Sequence, residues 1–139
     1  MKKWPTGSHG GTYGGNVVAC AAGVATIRAL REEKMIENAA QRGTQLITGL
    51  RRLQEEYSQI GDVRGLGLMI GSEFVDKKGK PDKNQAKAVV HAAEERGLLL
   101  LTCGTYDNTI RWIPPLNVSE QQVTDALSIF SDSLRETIK

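Results

Sequence analysis

Hydrophobic residues recur at intervals of three and four in four stretches of the chain, which predicts four helices. The first runs from Asn16, a good N-cap residue, to about Glu33, and its beginning is apolar on most faces. A helix of this kind is expected to be buried against something large, which indicates protein beyond this chain. The last helix begins after Ser119, where Gln122 completes a capping-box pattern. The two helices between them cover residues 35–57 and 84–96.

Between the second and third helices the pattern changes to period two, which predicts one strand, or two strands joined at a bend, from about Asp62 to Val75. The alternating apolar residues are Leu66, Leu68, Ile70 and Phe74. Short apolar strands are also predicted at Leu98–Leu101 and at Thr109–Ile113, the second ended by two prolines. We therefore expect an α+β fold in which helices cover one face of a small, mostly antiparallel sheet, with a long N-terminal helix.

Composition adds few constraints. The chain has 139 residues, 40% of them hydrophobic and 24% charged, which suits a single core. Its 18 basic and 16 acidic residues are interspersed, so the net charge of +2 gives no clustered basic face for nucleic acid. No apolar run is long enough for a membrane span. Cys20 and Cys103 lack metal-ligand spacing, so we interpret both as reduced thiols of a cytoplasmic protein. His9 and His91 likewise predict no metal site.

The segment before the first helix is unusually rich in glycine, since five of the nine residues from Gly7 to Gly15 are of this type. Such a backbone allows a ligand to approach closely. Thr12 and Ser8 add hydroxyl groups, and the following helix N-terminus offers N–H groups to an anion. The pattern suggests a phosphate contact, but from these residues alone a mobile N-terminal segment on which nothing packs explains it at least as well.

Two arginines, Arg111 and Arg64, are predicted to have different roles. Arg111 alternates with apolar neighbours near the end of a predicted strand, where a guanidinium can hold a carboxylate by two parallel hydrogen bonds. The alternative is a solvated arginine, or one paired with an acid such as Asp107. Arg64 lies in a glycine-rich turn and is interpreted as structural, bonding backbone carbonyl groups. No nucleotide-binding motif or complete catalytic arrangement is present, so no catalytic residue is assigned.

Four ordered motifs make the chain resemble the C-terminal part of the class III aminotransferases, fold-type I enzymes that use pyridoxal 5′-phosphate (PLP). These motifs are GSHGGTYGGN at 7–16, GDVRGLGLM at 61–69, ERGLLLLTCG at 95–104 and NTIRWIPPL at 108–116. The loop before Arg111 is similar to that of the 4-aminobutyrate aminotransferase branch. The resemblance covers essentially the whole chain, but about the last third of a family enzyme.

The resemblance assigns roles to two residues and implies partners. It implies that Thr12 bonds the cofactor phosphate of the neighbouring subunit in a homodimer, and that Arg111 binds the carboxylate of amino-acid and 2-oxo-acid substrates. Residues 1–15 would form the cofactor-phosphate and interface segment, and residues 16–139 the small domain. The family's Schiff-base lysine lies in the large PLP-binding domain, upstream of the matched residues, so this chain alone is expected to be inactive.

Two hypotheses therefore stand at the level of the sequence. The first is the C-terminal fragment of an aminotransferase that moves an amino group from an acid such as 4-aminobutyrate to one such as 2-oxoglutarate. The second is a non-catalytic α/β module that binds a small acid, or a protein partner through the apolar first helix.

Overall fold

The computed structural model describes residues 3–8 and 10–138, so His9 lies outside the described residues. The chain divides into two compact units, residues 1–34 and residues 35–139. Each unit has its own architecture.

The first unit contains the glycine-rich segment and helix α1, Val17–Glu32. Asn16 caps this helix as predicted, because its side-chain oxygen accepts a hydrogen bond from the Ala19 N–H at 3.0 Å. None of the α1 residues is buried. Leu30 is half-buried, but four large apolar side chains of the helix are more than half exposed: Val17, Val18, Val24 and Ile27.

The second unit contains three further helices, α2 (Met35–Glu56), α3 (Lys83–Glu95) and α4 (Glu120–Thr137). Asp82 caps α3 by accepting from the N–H groups of its second and third residues. The predicted capping box of α4 is confirmed, since Ser119 and Gln122 each bond the other's backbone N–H.

Four antiparallel strands form the sheet: β1 (Ile60–Leu66), β2 (Met69–Phe74), β3 (Leu101–Cys103) and β4 (Thr109–Trp112). Their order across the sheet is β1-β2-β4-β3. The predicted α+β class and the antiparallel sheet are confirmed. The bend allowed between residues 62 and 75 is a hairpin, where Gly67 takes a φ of 55° at the first of two central residues, as in type II′ turns.

The third strand lies later in the sequence than its hydrophobicity predicts. The predicted segment, Leu98–Leu101, overlaps β3 only at Leu101. Leu98 and Leu100 are apolar because they pack against the core and not because they pair in a strand. Pairing begins where Leu101 lies opposite Arg111, so the register with β4 sets the strand boundary.

The helices of the second unit pack on one face of the sheet and bury its core there. At the centre, the rings of Trp112 and Phe130 meet edge to face with centroids 4.9 Å apart, and the Trp112 indole N–H donates to the Ser72 hydroxyl at 3.1 Å. The buried strand residues that face the core are Ile60, Val63, Ile70, Ser72, Phe74, Ile110 and Trp112.

The opposite surface of the sheet, which we call the open face, carries the alternate residues of each strand. Its members are Asp62, Arg64, Leu66, Met69, Gly71, Glu73, Leu101, Cys103, Thr109 and Arg111. The alternation predicted for residues 62–75 fails at Leu66, which is 85% exposed, because the hairpin places it opposite Met69 on this face. The open face therefore combines charged residues with exposed apolar ones.

Candidate functional site

Arg111 lies on the open face in β4, between Ile110 and Trp112, both of which are buried. The predicted alternation around it is confirmed. Its neighbours across the sheet are Gly71 on β2 and Leu101 on β3. Within residues 3–8 and 10–138 its side chain makes no hydrogen bond or ion pair, so the alternative of a pair with Asp107 is not observed. The guanidinium is thus available to an external acid.

A largely apolar groove of about 520 Å³ adjoins Arg111 within the second unit. Its walls come from the segment before and into β3, from the end of β4 with the two prolines that follow it, and from helices α2 and α4. The lining contributed by β3, β4 and the segments that adjoin them is Leu98–Leu101, Arg111, Trp112, Ile113, Pro114 and Pro115. An arginine in the lining of a largely apolar groove suits an acid that has both a carboxylate and a hydrocarbon chain.

Arg64 occupies the same row of the open face as Arg111, with Gly71 between them, but its charge is already paired. Its Nη1 donates to Asp62 Oδ2 at 2.6 Å and to Glu73 Oε2 at 2.7 Å. The hydrogen bonds to Asp62 and Glu73 raise the pKa of Arg64, although desolvation opposes them. The prediction that Arg64 bonds backbone carbonyl groups was wrong. Arg64 lies in strand β1, and its side chain bonds the carboxylates of two neighbours on the same face of the sheet.

Glu73 is the residue of this surface that the sequence analysis missed as a functional candidate. It lies directly opposite Thr109, and its Oε1 accepts from the buried side-chain amide of Asn108 at 3.4 Å. The sequence contained one indication of this role, since Glu73 is an acidic residue between two residues that are buried in the strand. Glu73 thus links the Arg64 ion pair to Asn108, the residue directly before the Arg111 strand.

Thr12 lies in the first unit, in the turn that precedes α1, and its side chain is exposed. Its hydroxyl has no partner among the residues with described positions. A Cβ at Gly10 or Gly11 would meet none of the described atoms within 4 Å, so these atoms leave room for a phosphate group. Ser8 is less available, because its hydroxyl donates to the Pro5 carbonyl at 2.6 Å. The residues present therefore fit a phosphate contact through Thr12.

Other candidate chemistry is sparse in the described part of the chain. His91 lies 3.7 Å from Glu95 on α3, and no group of three metal-binding side chains occurs among the described residues. Cys20 and Cys103 are unpaired thiols. None of the helices, over the ranges described, is both long and apolar enough to cross a bilayer.

Comparison with known proteins shows which family this chain resembles. The profile of the class III aminotransferases matches residues 1–134. The 5-aminovalerate aminotransferase of Pseudomonas putida is 43% identical over 132 residues, which are 94% of this chain and 31% of that enzyme. The 4-aminobutyrate aminotransferase of Escherichia coli is 37% identical over the same shares of the two chains. This chain thus spans about a third of the length of the curated relatives it matches.

Solved structures agree with the sequence comparison. An amine transaminase from an uncultivated Pseudomonas species, in its PLP-bound form, superposes with a TM-score of 0.85 at 31% identity, covering 95% of this chain and 30% of that one. A Bacillus anthracis aminotransferase gives the same TM-score at 29% identity, covering 93% and 30%. With the family profile matched along nearly the whole sequence and the fold shared with these enzymes, the chain belongs to the class III aminotransferases.

Proposed function

We propose that this chain supplies the site for the substrate carboxylate in an aminotransferase that moves an amino group from an ω-amino acid to a 2-oxo acid. 4-Aminobutyrate and 5-aminovalerate are the donors we favour, and 2-oxoglutarate the acceptor. The main support for the proposal is that Arg111, one of the residues lining the apolar groove, has no hydrogen-bond or ion-pair partner for its guanidinium among the described residues. The names of the similar enzymes support this substrate class.

Arg111 would bind the carboxylate by two parallel charge-assisted hydrogen bonds, each worth about 1.5–3 kcal/mol. The leucines before β3 and Ile113 would contact the methylene chain of the substrate, which favours acids with several methylene groups over short polar ones. Because Ile110 and Trp112 are buried on either side in sequence, the strand holds the Arg111 backbone in place. The chain would therefore orient the substrate and leave the covalent chemistry to the cofactor.

Thr12 would donate its hydroxyl to the phosphate of PLP, in the neighbouring subunit of a homodimer. PLP, when bound, supplies an electron sink for breaking bonds at the amino-bearing carbon. The large PLP-binding domain would contribute the Schiff-base lysine, for which the residues of this chain offer no equivalent setting. We expect the 139-residue polypeptide alone to be inactive, and we place the enzyme in the cytoplasm.

Reconstitution tests this function. The chain would replace the corresponding third of the Escherichia coli 4-aminobutyrate aminotransferase, and the chimera would be assayed with 4-aminobutyrate and 2-oxoglutarate. We expect amino transfer, and we expect Arg111→Ala to raise the KM for 4-aminobutyrate by roughly 100-fold or more, since two charge-assisted bonds of this strength are lost.

The matched control is Arg52→Ala, which removes an exposed arginine from α2, away from the open face. This variant should retain the KM of the chimera. A chimera that binds PLP and turns over with the same KM whether residue 111 is arginine or alanine would rule out the proposed function.

A further inference from the structure

Glu73 lies within reach of both arginines of the open face, so that either of them could form an ion pair with it. Glu73 lies opposite Thr109 on β4, while Arg111 lies two residues further along the same strand. On the other side, Glu73 lies opposite Asp62 on β1, with Arg64 two residues further along. Diagonal neighbours of this kind are about 7–8 Å apart between backbones, within reach of glutamate and arginine side chains.

Arg64 holds this carboxylate in the structure. Its Nη1 is 2.7 Å from Glu73 Oε2, and Asp62 provides a second bond to the same nitrogen. The other oxygen, Oε1, is bonded by the Asn108 amide, which is itself anchored to the Phe74 carbonyl at 2.8 Å. Both oxygens of Glu73 therefore have partners, and Arg111 is not one of them.

From this arrangement we infer that Arg64 is a positioning residue, which keeps Glu73 away from Arg111 so that Arg111 remains free for the substrate carboxylate. The inference rests on the proposed function of Arg111. An internal carboxylate on Arg111 would compete directly with the substrate, since both need the same guanidinium hydrogen bonds. Arg64 removes that competitor by pairing with it first.

A purely structural role of Arg64, as a brace between β1 and β2, makes a different prediction. If Arg64 acts only as a brace, replacing it weakens the sheet, and a second substitution at Glu73 cannot repair the loss. If Arg64 acts by holding Glu73, removing the carboxylate as well restores the carboxylate site. Rescue by the double variant therefore separates the two roles.

The experiment follows the Arg111 Nε–H signal by NMR in the 139-residue chain, first without ligand and then during titration with butyrate. In Arg64→Gln, the signal should shift without ligand, and the dissociation constant for butyrate should rise about threefold, as for an exposed ion pair of ordinary strength. In the double variant Arg64→Gln with Glu73→Gln, both should return to the wild-type values. Arg64→Lys, which keeps a cation beside Glu73, should behave as wild type.

The control is Asp62→Asn, which leaves the bond between Arg64 and Glu73 in place and should change the butyrate constant less than about twofold. An effect of Arg64→Gln that persists in the double variant, or no effect at all, would overturn the inference. If the Arg111 signal shifts and is restored as expected but butyrate never binds, the placement of Glu73 stands and the carboxylate function of Arg111 fails.

Discussion

At the scale of single residues, the chemistry of the open face depends on which charges are already paired. Arg64 has two carboxylate partners within 2.7 Å, whereas Arg111, in the same row, has none in the described part of the chain. Exposed ion pairs are worth at most about 1 kcal/mol, so Arg64 adds little to stability. Its larger effect is on the local distribution of charge around Arg111.

Gly43 shows how closely helix α2 approaches the hairpin. A Cβ at this position would lie 2.3 Å from the carbonyl oxygen of Gly67, which is backbone and cannot move aside alone. Gly43→Ala should therefore lower the free energy of unfolding by about 2–3 kcal/mol, measured by urea denaturation. Gly23→Ala in α1 is the control, because a Cβ there would meet no described atom within 4 Å, and it should cause no loss of stability. Equal effects of the two substitutions would contradict this packing.

Asp76 gives the fold a pH dependence in acid. Its Oδ1 accepts from the N–H groups of Lys80 and Lys78, and these bonds lower its pKa below the ordinary 3.8. Because the folded pKa lies below the unfolded value, the stabilisation is complete above pH 3.8 and is lost as the pH falls through the folded value. Asp76→Ala should be less stable than wild type at neutral pH, and the difference should vanish in strong acid. Urea unfolding at several pH values measures this, and a constant difference would refute it.

At the scale of elements, hydrophobic periodicity and capping residues predicted all four helices in the described region to within two residues of the observed ends. They succeeded because capping is local, as at Asn16 and Ser119. The position of β3 and the exposure of Leu66 were missed, since both depend on which strand lies opposite. The alternation of apolar residues predicted the exposure of Arg111. It did not predict the pairing of Arg64 with Glu73, because Glu73 lies on the neighbouring strand β2.

The capping box of α4 can be tested at this scale. Ser119→Ala removes the acceptor for the Gln122 N–H, so the protein should lose about 1 kcal/mol of stability in thermal or urea unfolding. Ser128→Ala is the control within the same helix, because Ser128 is exposed and alanine is the better helix former. A loss of stability in Ser128→Ala as large as that in Ser119→Ala would show that the cap does not set the stability of α4.

At the scale of the whole molecule, the chain spans about a third of its relatives and carries a helix, α1, without a buried residue. We propose that the remaining parts of the enzyme, the large domain and the second subunit, cover this helix and complete the pocket. The 139-residue chain alone should then show no amino transfer from 4-aminobutyrate in the presence of PLP. Turnover by the purified chain, without any other polypeptide, would contradict the proposal that other parts of the enzyme complete the active site.

If Arg111 recognises the carboxylate of the amino donor, it should distinguish a donor that has this group from one that lacks it. The kcat/KM of the chimeric enzyme would be measured for 4-aminobutyrate and for butylamine, and the ratio of the two values calculated. This ratio would be compared between the enzyme with arginine at position 111 and the Arg111→Ala variant. We expect the ratio to fall by roughly 100-fold or more in Arg111→Ala, because only the donor that carries a carboxylate loses its two hydrogen bonds. An unchanged ratio would contradict this role of Arg111.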